Sequence, residues 1–247
     1  MLLFSTDIDG TVYDNTDSTA RFAEYWSTLR NDHGYPKLAY NTGRSLDDTL
    51  ALIARTALPT PDFIISGVGT SIVHGDGNRP LSDYSNSLRD EWDFDTVFEI
   101  INAIDGPRPQ PRECQNPYKS SWFWENASPA QLDHLHHALT SRGISAQVIY
   151  SSNRDLDLLP IAANKANALL HLTYHLDLPR SKIVVAGDSG NDAAMLSLEG
   201  AKSIAVANAE PALIEALQGT AFFHATKPCA DGVIEGLQHF ANQHPSA

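Results

Sequence analysis

The sequence predicts an α/β protein: a doubly wound, Rossmann-like core with a parallel sheet, into which a smaller α+β domain is inserted. Three observations lead there. Short apolar runs alternate with helix-patterned segments from Met1 to about Ser66, the rhythm of strand–helix–strand units in a parallel sheet. The same rhythm returns from about Asn164. Between the two, hairpin-like and aromatic β segments replace it. The expected division is a core over 1–79, an inserted cap over 80–160 and the rest of the core over 161–247.

In order, Met1-Leu2-Leu3-Phe4 opens a buried strand that Gly10 ends. Ser18 is placed to cap a helix carrying Phe22, Trp26 and Leu29 at helical spacing, with Gly34 as its stop. "KLAYN" (37–41) is the second strand, and Ser45 with Asp48 makes a capping-box-like start to a helix bearing Leu46, Leu50 and Ile53. "DFIIS" (62–66) is the third strand, and "TSIVHGDGNRPL" reads as a hairpin around Gly75-Asp76-Gly77. The insertion then offers a helix through Val97, Ile100, Ile101 and Ile104, a proline-rich break, the strand "SSWFW" and a helix begun by Ser128-Pro129. The strands "AQVIYSS" and "LDLLP", turned by Asn153-Arg154, complete it. A helix to Leu176, the strand "KIVVAGD" (182–188), a helix with Met195 and Leu196, the strand "SIAVAN", a helix with Leu213 and Leu217, "AFFHA" and a last helix with Val233, Leu237 and Phe240 close the core. The terminal "ANQHPSA" is expected to fray.

At 247 residues and 42% hydrophobic content the chain can bury a sizeable core. Its 30 acidic residues against 17 basic give a formal charge of −13, the wrong sign for a nucleic-acid partner, whose phosphates need a basic footprint. Cys114 and Cys229 make no disulfide framework, which fits a reducing, cytoplasmic compartment. No apolar run approaches the ~20 residues of a membrane span, and no basic, apolar leader opens the chain. A monomer is the simplest assembly expected.

Ligands of a doubly wound sheet sit at the carboxyl ends of its strands, so the residues delivered there matter most. The first strand delivers Asp7 and Asp9 in "STDIDGTV", the second Thr42, Gly43 and Arg44 in "NTGRS". The strand after the insertion delivers Asp188, Asn191 and Asp192 in "GDSGND", and Lys165 stands just past the insertion. Each alone has a bland reading: Asp-x-Asp-Gly caps turns, "GDSGND" is a turn, and a lysine at a helix start is usually solvated. Together, four carboxylates, a hydroxyl and a lysine make poor structure but coherent chemistry, because hard oxygen ligands in such numbers suit Mg²⁺ with a phosphorylated ligand. An EF-hand is excluded, since Val12 stands where its loop needs glycine and Ser18 where it needs glutamate. Gly67-x-Gly69 and Gly75-x-Gly77 lack the third glycine of a dinucleotide fingerprint, and there is no Walker loop. A phospho-accepting receiver module shares the clustered acids, but it needs no inserted domain and no acid two residues after its acceptor.

Asp7-Ile8-Asp9-Gly10-Thr11, then Thr42, then Lys165, then Gly187-Asp188-Ser189-Gly190-Asn191-Asp192 resemble the four motifs of the haloacid-dehalogenase-like phosphatases, over nearly the whole chain. Within them, "AYNTGRS", "GVGTSIVH", "QNPYKSSWF", "YSSNRDLDLLP" and "VVAGDSGND" are similar to the capped sucrose-phosphate phosphatases and their mannosylfructose-phosphate relatives. Ala166 departs from them, standing where a glycine commonly follows the lysine. The resemblance implies a Mg²⁺-dependent phosphatase acting on a phosphorylated disaccharide, or, as the nearest alternative, on glucosylglycerol-phosphate or mannosyl-3-phosphoglycerate. It implies that Asp7 is the nucleophile and Asp9 the acid–base. Thr42, Gly43, Lys165 and Asn191 would hold the phosphate, and Asp7, Asp9 (through its carbonyl), Asp188 and Asp192 the metal. For the sugar, which offers hydroxyls and little charge, the cap supplies Gln115, Asn116, Lys119 and Asp157 as candidates, with Trp122 or Trp124 for stacking or for core packing.

Overall fold

The computed structural model describes residues 1–242 except Asn15, His33, Gly34, Asp90, Glu91 and Ser152. The helix stop expected at Gly34 and most of the expected frayed tail lie outside the described residues. The chain divides into two compact units, one formed by Met1–Leu81 with the segment from Asn164 onward, the other by Ser82–Ala163. These divisions fall two to three residues beyond those drawn from the sequence.

In the first unit, β1 (Leu3–Thr6), α1 (Ser18–Asp32), β2 (Lys37–Asn41), α2 (Leu46–Arg55), β3 (Phe63–Ser66) and β4 (Ser71–His74) precede the insertion. The second unit contains α3 (Ser82–Ser87), α4 (Phe94–Asn102), β5 (Arg108–Pro109), β6 (Ser120–Phe123), α5 (Pro129–Ser141), β7 (Ala146–Ser151) and β8 (Asp155–Pro160). The first unit resumes with α6 (Lys165–His175), β9 (Ile183–Gly187), α7 (Ala193–Leu196), β10 (Lys202–Ala205), α8 (Pro211–Ala216), β11 (Phe223–His224) and α9 (Cys229–Asn242).

The first unit carries a seven-stranded sheet in the order β11-β10-β9-β1-β2-β3-β4, parallel except for β4. Its strands are buried on both faces and so read as continuous apolar runs. From β1 the chain winds outward through β2 and β3. After the insertion it winds the other way through β9, β10 and β11. The order therefore reverses between β1 and β9, which pair directly (Thr6 beside Ala186), and a crevice opens at their carboxyl ends. Below it, Phe4, Phe22 and Trp26 form an aromatic cluster, with ring centroids 5.7 Å apart for Phe4 and Trp26. Truncating such a side chain to alanine costs about 3–5 kcal/mol.

The second unit has its own core. An antiparallel sheet, β5-β6-β8-β7, packs Trp122, Leu156 and Leu158 against Val97 and Ile101 of α4 and Leu135 and Leu139 of α5. Ser128 caps α5 in a full capping box with Gln131, and Pro129 starts the helix where its missing N–H is not needed.

Three local expectations change and one is extended. Ser18 is already the first helical residue of α1, and the Asp17 carbonyl accepts the Arg21 amide; the Ser18 hydroxyl instead donates to Asp14. The antiparallel pair near Gly67 is β3 with β4. The chain also turns back at Gly75-Asp76-Gly77 as expected, the His74 amide bonding to the Arg79 carbonyl (2.9 Å) and the Leu81 amide to the Ile72 carbonyl (2.9 Å) on either side of an antiparallel bridge between Val73 and Pro80. Ile104 lies past the end of α4, its amide turned back to the Ile101 carbonyl. The proline-rich break contains the short edge strand β5, where Pro109 is tolerated because an edge leaves amides unpaired.

Candidate active site

Asp7 follows β1 directly and its amide continues the ladder to the Ala186 carbonyl (3.0 Å). That places its carboxylate at the switch point, where it is only 6% exposed. The Lys165 ammonium, at the first position of α6 and fully buried, lies 2.9 Å from Asp7 Oδ1 and 2.7 Å from Asp192 Oδ1. The other Asp192 oxygen accepts the amides of Asp188 (3.0 Å) and Ser189 (3.1 Å), so this carboxylate fixes the "GDSGND" turn from inside. Thr11 donates to Asp188 Oδ1 at 2.8 Å. Gly10 sits at φ +72° directly against that carboxylate, where a Cβ has no room. Asp7, Asp188 and Asp192 each bring one oxygen into a group whose members lie within 4.8 Å of one another.

Three acids face one lysine, and their electrostatics reflect it. Burial pushes the Asp7 carboxyl up to about 7 against the pull of Lys165, with Asp192 adding to the rise. Burial likewise raises Asp188 to about 6, opposed by the Thr11 hydrogen bond and reinforced by Asp192. Burial pulls the Lys165 ammonium down, but Asp192 and Asp7 outweigh it and hold it above the ordinary lysine value.

Thr42 follows β2, its amide bonded to the Ile65 carbonyl (2.9 Å) and its hydroxyl oxygen accepting the Arg44 amide (3.2 Å). One residue earlier, Asn41 donates to the Lys165 carbonyl at 2.9 Å and ties the end of β2 to the start of α6. Asp9, half exposed, does not join the carboxylate group. Both of its oxygens accept from Arg44, at 2.6 and 2.7 Å, and Arg44 also pairs with Asp48 on α2. A cavity of about 520 Å³ is lined by Asp7, Asp9, Thr42, Gly43, Arg44, Asp188 and Asn191, among others. The core residues singled out in the sequence thus converge on one cavity, with Lys165 and Asp192 buried beside it. Thr11 and Arg44 carried no assigned role; their position at strand ends was the available signal.

The sugar candidates of the second unit divide. Lys119 Nζ lies 3.1 Å from Asp157, which also accepts the Ser121 hydroxyl at 2.6 Å. Gln115 is spent on backbone, donating to the Gln110 and Ser121 carbonyls and accepting the Ser121 amide. Asn116 accepts the Tyr118 amide in a local turn. Trp122 and Trp124 are both buried in that unit's core, and the Trp122 indole donates to Ser120 (2.8 Å).

Residues 1–241 match the family model "Sucrose-6F-phosphate phosphohydrolase". The chain is 43% identical to the mannosylfructose-phosphate phosphatase of Agrobacterium fabrum, covering 96% of each chain. It is 32% identical to sucrose-phosphatase 1 of Nicotiana tabacum, where it spans 59% of the plant protein. Among solved structures, the sucrose-phosphatase of Synechocystis sp. PCC6803, in complex with sucrose and phosphate, superposes with a TM-score of 0.83 at 32% identity over 97% of each chain. The motifs, the switch-point cavity and these matches agree: the chain belongs to the sucrose-6F-phosphate phosphohydrolase family of haloacid-dehalogenase-like phosphatases.

Proposed function

We propose that this phosphatase hydrolyses a phosphorylated disaccharide of the sucrose-6-phosphate or mannosylfructose-6-phosphate type, with Mg²⁺, through a phosphoryl group carried on Asp7. The observation that carries the reading is the Asp7 carboxylate held against Lys165 at the floor of a cavity rimmed by Asp9, Thr42 and Asp188.

The residues fit a Mg²⁺ ion. The donors are hard oxygens, and three carboxylates around one ammonium leave negative charge for a divalent cation to offset. Asp7, Asp188 and the Asp9 carbonyl would hold it, with Asp192 behind them fixing the Asp188 turn. When bound, the ion supplies positive charge opposite the phosphoryl oxygens. Thr42 and the Gly43 amide would bind those oxygens, with Asn191 at the rim. Lys165 orients Asp7 so that one carboxylate oxygen remains free for attack.

In the first step that oxygen bonds to phosphorus as the bond from phosphorus to the sugar oxygen breaks, and Asp9 gives its proton to the departing oxygen. In the second, a water attacks phosphorus, its proton passes to Asp9, and the Asp7–phosphorus bond breaks to return the carboxylate. Ester and water become alcohol and phosphate. In the cap unit, Lys119 and Asp157 are the pair proposed to recognise sugar hydroxyls, while Gln115 and Asn116 shape the loop that carries Lys119.

Rapid-quench mapping of phosphate on the chain tests this. Acid-stable label is expected on Asp7 within a turnover, absent in Asp7→Asn and absent in chelator. Label elsewhere, or full turnover by Asp7→Asn, would overturn the assignment.

A further inference from the structure

Arg44 is the cation of the cavity rim, yet its guanidinium faces an acid of the chain. Its Nε lies 2.6 Å from one Asp9 oxygen and its terminal nitrogen 2.7 Å from the other, the parallel two-bond geometry that fixes a carboxylate in plane as well as in place. The remaining nitrogen binds Asp48, which lies in the first turn of α2, the helix that Ser45 caps. Arg44 itself stands two residues after Thr42, and its amide donates to the Thr42 hydroxyl oxygen. One turn therefore presents the Thr42 hydroxyl and braces Asp9, which is 35 positions away in the chain.

We propose that Arg44 is a positioning residue that sets the orientation of Asp9 for proton transfer, with Asp48 as its anchor. An ionised carboxylate has about four lone-pair sites. The guanidinium takes one on each oxygen and leaves one on each for the transferred proton. Asp9 is half exposed at a turn, and the fork is what keeps its carboxylate from rotating. A displacement of about 1 Å at a reacting group costs on the order of 10²-fold in rate. The inference rests on the acid–base reading of Asp9, and the test separates the two.

p-Nitrophenyl phosphate carries a leaving group that departs without a donated proton, so only the second step, attack of water on the phosphorylated Asp7, needs Asp9. Stopped-flow and acid-quench measurements with this ester are made on Asp9→Asn, Arg44→Ala and Arg44→Lys, the last keeping a positive charge between Asp9 and Asp48 but not the fork. Arg44→Ala is expected to release a burst of about one p-nitrophenolate per site, then turn over roughly 10- to 100-fold more slowly than the parent chain with phosphoenzyme accumulated. Arg44→Lys should show the same pattern in weaker form, and millimolar guanidinium should partly restore Arg44→Ala. A raised KM with no accumulated phosphoenzyme in both Arg44 variants, while Asp9→Asn accumulates it, would overturn the role given to Arg44. No accumulation in Asp9→Asn would overturn the acid–base assignment on which it rests.

Discussion

Asp7 and Asp188 are carboxyls that this fold holds uneasily in their charged form. Their values of about 7 and about 6 lie above the ordinary 3.8, so near neutral pH the folded, metal-free chain binds protons that an unfolded chain has released. The stabilisation from this is complete below about pH 4 and is lost as pH rises through about 6 and then 7. Mg²⁺ competes for the same oxygens and binds the deprotonated forms, so its stabilising effect grows across that window. The rise in Tm on adding Mg²⁺ to the metal-free protein is therefore expected to be larger at about pH 8 than at about pH 5, measured by calorimetry. Equal rises at both would contradict the placement of the ion at these acids. At this scale the sequence was most informative: Asp7, Asp9, Asp188 and Asp192 stand at strand ends, and a buried acid such as Asp7 or Asp192 is costly there unless it is paired. Arg44 was less legible, because its partnership with Asp9 joins two loops that nothing in the local pattern links.

At the scale of elements, the position of Lys165 depends on a contact between a turn and a helix start. The turn from β3 to β4 runs through Gly67, Val68 and Gly69, all at positive φ. A β-branched residue such as Val68 in that region is strained, and its amide bonds to the Thr42 carbonyl (3.1 Å). Gly69, at φ +84°, packs directly on the Asn164 carbonyl, so that an added Cβ would displace the residue that caps α6 and precedes Lys165. Gly69→Ala is expected to cost roughly 1–3 kcal/mol of stability and to lower kcat by moving Lys165, read from denaturant melts and steady-state kinetics together. Unchanged kcat with the stability loss would show that α6 adapts without moving its lysine. Most elements were readable from apolar period and caps, as with Ser45 on α2 and Ser128 on α5. The exceptions have physical causes. α3 has no apolar stripe and buries only Tyr84, and β5 is a two-residue edge written in arginine and proline.

At the scale of the whole molecule, each unit carries its own apolar core. The proposed function divides along the same line, with phosphoryl chemistry in the first unit and sugar recognition in the second. The inserted domain was legible because the strand–helix rhythm stops and restarts. Its sugar contacts were not, since in a polar loop the same residue types serve recognition and structure alike; Gln115 turned out to be spent on backbone. Lys119→Ala removes the cation paired with Asp157, and Asp157→Ala the anion paired with Lys119, in a largely buried ion pair. Either change is expected to lower kcat/KM for a disaccharide phosphate by about 1–3 kcal/mol of transition-state binding, with little effect on p-nitrophenyl phosphate. Equal losses on both esters would assign the pair to folding instead. No helix among the described residues is long and apolar enough to cross a membrane. Which ester the enzyme cleaves is read straight from phosphate release. Sucrose-6-phosphate, mannosylfructose-phosphate, glucosylglycerol-phosphate and p-nitrophenyl phosphate would be assayed side by side, each with Mg²⁺ and with chelator. The expected result is Mg²⁺-dependent release with kcat/KM highest for one of the first two. A highest value for glucosylglycerol-phosphate or the generic ester, or release undiminished in chelator, would contradict it.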